Sequence, residues 1–151
     1  MNKTVLTISL IALIACKSDK KETNSEESYV VPSSEKTKQD PELSESAKRG
    51  KEVYFDFCVT CHLPSGKGIP GNFPPLDGSD WLTEKRAESI KAVKYGLKGP
   101  IEVNGETYNN VMTPLGLTDQ EVADVMNYTM NSWSNSSENP ISLEEVKTIS
   151  K

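Results

Sequence analysis

Histidine occurs once in these 151 residues and cysteine three times. A single imidazole excludes any site within one chain that needs two of them. The chain also lacks a glycine-rich loop ending in lysine that could cradle phosphates. Its carboxylates are scattered, with no pair placed for general acid and base work. Basic residues are in deficit, 17 Lys and Arg against 22 Asp and Glu. Phosphate binding needs clustered basic side chains, so nucleic acid is excluded as a partner class. Hydrophobic residues make up 35%, below a typical globular domain, so part of the chain is expected to lie outside any packed core. There is room for one domain plus appendages, and no internal repeat.

The first residues read as an export signal. Lys3 supplies positive charge and Val5 to Ala15 is almost continuously apolar. That run is too short to span a bilayer, which takes about 20 residues. It ends in Leu13-Ile14-Ala15-Cys16, with a polar break starting at Lys17. This resembles the bacterial lipobox, in which the signal is cut before the cysteine and the cysteine is lipidated. An ordinary signal peptide that happens to contain a cysteine is the other reading. Residues 1–15 are therefore expected to be a lipoprotein signal and Cys16 the lipid site. Residues 16–43 are rich in Lys, Glu, Ser, Thr and Asp. Such a stretch cannot bury enough surface to offset its ordering entropy and reads as a disordered tether.

What remains of the cysteine and histidine falls in one place, Cys58-Val59-Thr60-Cys61-His62. Two thiols one helical turn apart can each add across a vinyl group of haem, and the adjacent imidazole is then held against the iron. The spacing points to one covalently attached haem c. With Cys16 given to lipid, no thiol is left for a disulfide or for nucleophilic catalysis.

The folded domain is expected over 44–135. Ser44 or Ser46 can cap a helix through Ala47, Gly50, Val53, Tyr54 and Phe57, and Gly50 inside it costs helix propensity. Leu63 to Gly78 holds four Gly and four Pro and reads as loop. A second helix is predicted from Thr83 or Glu84 to Tyr95, ended by Gly96. Val103-Asn104-Gly105-Glu106 suits a type I′ hairpin turn. Thr118, with Glu121 three residues on, caps a last core helix with Val122, Val125, Met126, Thr129 and Trp133 on one face. Asn139-Pro140 breaks the chain. In the tail, 136–151, Ser142 and Glu145 can cap a short helix from Leu143 to Ile149.

His62 supplies one axial position on the iron. The second falls to Met112, Met126, Met130 or no protein atom. Met126 and Met130 lie on the stripe of a core helix, where methionine is usually filler. Met112 lies in an irregular segment between Asn109-Asn110 and Thr113-Pro114, where a nearby proline can present it rigidly. It is the best placed of the three. An open sixth site follows if none of them ligates.

The segment from Ala47 to Asn135 resembles a class I mono-haem cytochrome c domain. The resemblance is carried by Gly50 and Tyr54 ahead of Cys58-x-x-Cys61-His62, then Gly66, Gly68 and Phe73-Pro74-Pro75-Leu76-x-Gly78. It continues to Met112, Val125-x-x-Tyr128 and Trp133. Gly99-Pro100-Ile101, Val103-x-Gly105-x-x-Tyr108-Asn109 and the following Met resemble a bacterial subgroup serving nitrite reductases, terminal oxidases and dehydrogenases. The chain departs from that subgroup where Thr113 separates Met112 from Pro114.

The resemblance implies an all-α fold of three to four core helices around a covalently bound haem, with long loops and a small hairpin. It implies that the Pro74 carbonyl accepts a hydrogen bond from the second nitrogen of His62, and that Leu76 contacts the porphyrin face. Gly50 and Tyr54 would cross the last helix at Val125 and Tyr128. Trp81 and Tyr108 would contact the haem edge or its propionates, with plain core packing as the other reading of both.

A closed His/Met iron leaves no place for substrate, so the expected function is one-electron transfer and not catalysis. The expected carrier is lipid-anchored on the periplasmic side of a bacterial membrane. It would pass electrons between a quinol-oxidising complex or dehydrogenase and a nitrite reductase or terminal oxidase. A subunit permanently docked to one redox enzyme, or a haem sensor with an open sixth site, are the other readings.

Overall fold

In the computed structural model, residues 41–151 are described. The signal, Cys16 and the tether up to residue 40 lie outside the described residues. Eight elements follow in order: α1 (Pro41–Phe57), α2 (Val59–His62), α3 (Asp80–Glu84), α4 (Arg86–Tyr95), β1 (Ile101–Val103), β2 (Glu106–Tyr108), α5 (Asp119–Thr129) and α6 (Leu143–Thr148). None of these helices is long and apolar enough to cross a membrane. The architecture is helical with one small antiparallel hairpin, as the resemblance implies.

Helix α1 starts earlier than Ser44. Proline at its first position costs no hydrogen bond, and Glu42 sits in the first turn where the helix dipole favours an anion. Leu43, Ser46, Gly50 and Tyr54 repeat at helical spacing and are all buried. Leu43, assigned to the tether from the sequence, is thus a core residue. Ser46 is no cap, because it lies inside the helix with its hydroxyl donating to Asp124 Oδ1 at 2.6 Å.

Helix α5 runs through the middle of the domain and is buried on nearly every side from Val122 to Thr129. Its start is the predicted capping box. Thr118 Oγ accepts from the Glu121 N–H at 3.3 Å, and the Glu121 carboxylate accepts from the Thr118 N–H at 2.8 Å. Its end differs from the prediction, since the helix stops at Thr129 and Trp133 is not on its face. The Asn135 side chain donates to the Thr129 carbonyl, and Trp133 takes a positive φ of 57°. The chain turns back there, and the indole N–H donates to the Pro64 carbonyl at 2.9 Å.

The predicted second helix is two. Lys85 (φ −121°, ψ 53°) breaks it, so that α3 already begins at Asp80 and carries Trp81. The hairpin follows the prediction, with Val103 paired to Glu106 and positive φ at both Asn104 (52°) and Gly105 (78°). The tail docks on the domain. Ser142 Oγ caps α6 by accepting from the Glu145 N–H, and Val146 is fully buried against the core of α4 and α5. The Asn127 amide holds both the N–H (2.7 Å) and the carbonyl (2.9 Å) of Ile141. Arg86 forks onto Glu145 at 2.6 and 2.7 Å.

Candidate functional site

Helix α2 is a single turn, and it fixes the spacing of the two thiols. The His62 N–H donates to the Cys58 carbonyl at 3.0 Å, so Cys58, Cys61 and His62 share one turn. That turn hangs from α1 through Tyr54, whose buried hydroxyl donates to the Leu63 carbonyl at 2.7 Å. Burial pushes the Tyr54 phenol well above its usual range, with the neighbouring Cys58 adding to the shift, so it stays a donor.

His62 Nδ1 lies 3.0 Å from the carbonyl oxygen of Pro74. A carbonyl can only accept, so Nδ1 carries the proton and Nε2 keeps its lone pair. Burial pulls the imidazole pKa down, against the opposing pull of the Pro74 bond. The ring is therefore neutral, with one nitrogen free to take a metal and its plane fixed by the other. Burial likewise pushes the Cys58 thiol up to about 11, with Cys61 adding to the shift. At neutral pH it rests as a thiol, not as the thiolate of a catalytic cysteine.

These groups face two clefts. The larger, about 650 Å³, is lined by Cys58 and His62 on one side and by Pro74, Leu76, Trp81 and Met112 among others. The smaller, about 450 Å³, is lined by Cys61, His62, Phe73, Tyr108 and Met112 among others. His62 and Met112 line both clefts. Among the described residues no Asp, Glu, Lys or Arg lines either one, whereas two other surface clefts contain Arg86 and Glu138, or Glu42 and Arg49.

Met112 is held by its backbone. Its N–H donates to the Leu97 carbonyl at 3.0 Å, and its carbonyl accepts from the Leu97 N–H at 2.8 Å. Gly96, which ends α4 at φ 79°, permits this approach, since a Cβ there would lie 2.6 Å from the Met112 carbonyl oxygen. The sequence marked Gly96 only as a helix stop. It gave no sign of the Leu97 bridge, because a single backbone pair has no side-chain pattern.

The remaining site residues are placed as follows. Met126 and Met130 are both in the buried core cluster, and Met126 also reaches the larger cleft. Trp81 has its ring covered by the Lys85 ammonium at 5.2 Å. The Tyr108 hydroxyl is already committed, donating to Glu106 Oε2 at 2.8 Å.

The donor set fits haem c. Two thiols, a neutral imidazole and a thioether border two clefts that share His62, Leu97 and Met112. Among the described residues no group of three or more His, Cys, Asp or Glu could hold a metal ion. The described residues therefore offer single donors and no chelating group, so the other positions on an iron would be filled by a macrocycle.

The same segment matches the family model described as "Cytochrome c" over residues 47–133. The chain is 38% identical over 109 residues to cytochrome c-552 of Thermus thermophilus, covering 66% of this chain and 82% of that protein. It is 30% identical over 104 residues to the cytochrome c subunit of the quinone-dependent alcohol dehydrogenase of Gluconobacter oxydans, covering 66% and 21%. It is 32% identical over 100 residues to the cbb3-type cytochrome c oxidase subunit CcoP of Rhodobacter capsulatus, covering 60% and 32%.

Proposed function

The chain belongs to the cytochrome c family and carries electrons through a covalently bound haem c, and from that premise we propose that the iron is held between His62 and Met112 in a membrane-anchored carrier. The observation that carries this reading is that His62 and Met112 are the two candidate ligands lining both clefts. Haem c supplies a one-electron iron couple. The rest of the work falls to side chains of the chain.

Cys58 and Cys61 each give a sulfur for a thioether bond, and the single turn of α2 sets their separation. The Pro74 carbonyl holds the His62 Nδ1 proton, which fixes the ring and raises the basicity of Nε2. The Leu97 bridge holds the backbone of Met112. A thioether opposite a neutral imidazole favours the reduced state more than two imidazoles would. Pro74, Leu76, Val125 and Met126 keep the site apolar and exclude water. Were His62 and Met112 both to ligate the iron, no position would be left for a substrate, and the site would serve electron transfer alone.

Trp81 and Tyr108 are proposed to meet the edge of the cofactor from the two clefts they line. Cys16 is proposed as the lipid anchor on the periplasmic side, with 17–40 as the tether. The partners we propose are enzymes of the classes to which relatives belong, a dehydrogenase on the donor side and a terminal oxidase on the acceptor side.

Replacing Met112 by Ala tests the ligand. The weak sulfur-to-iron absorption at the red end of the oxidised spectrum should vanish while the covalent haem is retained. Survival of that absorption in the variant would sink Met112 as ligand. Cys16→Ser tests the anchor, and the haem protein should move from the membrane fraction to the soluble fraction of the periplasm.

A further inference from the structure

The C-terminal segment lies beyond residue 133, where the match to the family model ends. It is nonetheless bound at one short stretch of α4. Lys94 Nζ donates to the carbonyls of Val146 (2.9 Å) and Ile149 (3.4 Å). The Tyr95 hydroxyl donates to the Ile149 carbonyl at 3.0 Å. Of the next two residues of the chain, Gly96 leaves room for the Met112 carbonyl and Leu97 bonds the Met112 backbone. Four consecutive residues thus take the tail through two side chains and the methionine strand through two backbone groups.

The tail is fixed independently at its other end. Ile141 is held by Asn127 on α5, and Glu145 is held by Arg86 at the start of α4. Lys94 is tied to α5 as well, through Asp119 at 2.9 Å. The last turn of α4 is thus tied both to a tail that is itself anchored elsewhere and to α5, and can move less freely than a helix end in solvent.

We infer that the C-terminal segment positions Met112, acting through Lys94 and Tyr95 on the Gly96–Leu97 strand. The inference rests on the reading of Met112 as axial ligand. Without the brace, the end of α4 gains freedom and the bridge opens more often. The methionine sulfur then leaves the iron more often, and an external ligand finds the vacated position more easily.

Imidazole added to the oxidised holoprotein reads this directly, because it binds only when the iron–sulfur bond breaks and an iron–nitrogen bond replaces it. No electron is exchanged, and the binding is followed as loss of the sulfur-to-iron absorption. Its apparent affinity scales with the fraction of molecules in which the sulfur has left. Tyr95→Phe deletes one hydroxyl and keeps the ring. It should raise imidazole affinity about tenfold, and Lys94→Met by about the same or more. Arg49→Ala serves as the control, since it removes the ion pair with Asp124 and makes no bond to the tail or to the Leu97 bridge, and its imidazole affinity should stay at the wild-type value.

Unchanged affinity in both Tyr95→Phe and Lys94→Met overturns the inference. So does an equal rise in Arg49→Ala, which would make the effect one of global stability. Wild-type protein that lacks the sulfur-to-iron absorption would instead refute the ligand assignment, a separate failure seen before any variant is made.

Discussion

Gly50 of α1 and Asp124 of α5 touch through their backbones: a Cβ on Gly50 would lie 1.8 Å from the Asp124 carbonyl oxygen. No side chain is tolerated at that crossing, and the helix cost of glycine is offset by the closeness of the two axes. The contact fixes α1 against α5, and the turn that carries Cys58 and Cys61 follows directly from the end of α1. Gly50→Ala should therefore push the helices apart and destabilise the holoprotein by about 3 kcal/mol. Guanidinium unfolding followed by haem absorbance measures this, and a loss under about 0.5 kcal/mol would show that the crossing relaxes freely.

Asp124 also gives the domain an acid limit. Burial opposes its ionisation, but hydrogen bonds from Arg49, Ser46 and Gln120, with the charge of Arg49, outweigh that and hold its carboxyl below the ordinary range. A group with a lowered folded-state pKa stabilises above its unfolded value, about 3.9, and that stability is lost as pH falls through the folded value. Asp124→Asn should cost about 2 kcal/mol at pH 7 and flatten the stability curve below about pH 4. Urea midpoints measured at several pH values decide it. A variant curve parallel to the wild type would remove Asp124 from the acid response.

The docked tail contributes to stability as well as to positioning. Val146 is fully buried in the same cluster as Ile90, Val122 and Met126. Val146→Ala should cost about 2 kcal/mol by cavity formation. Arg86→Ala should cost about 1 kcal/mol, since the Arg86–Glu145 pair is only half-buried and partly screened. Thermal unfolding of the two variants should show lower midpoints in that order. An unshifted midpoint for Val146→Ala would mean that the tail is not part of the cooperative unit.

Much of this was readable in the sequence where one residue type has one physical use. Cys58, Cys61 and His62 share a turn because the spacing allows nothing else. Thr118 with Glu121, Ser142 with Glu145, and Asn104-Gly105 each satisfy local backbone groups, and local chemistry does not depend on the rest of the fold. The misplaced features depend on partners far along the chain. Ser46 looked like a cap, but its hydroxyl belongs to Asp124, 78 residues away. Trp133 kept helical spacing, but its indole belongs to Pro64 across 69 residues. The Leu97 bridge to Met112 is made of backbone alone and leaves no trace in composition.

The lining of the two clefts has one more consequence. In electrostatic terms, the described residues place no ion of their own in those walls. Apolar side chains polarise little, so those walls do little to screen a charge that appears beside them. Oxidation adds one positive charge to the iron, and the walls offer it no counterion. The protein therefore makes the electron costly to remove, and it does so by what it leaves out of the walls.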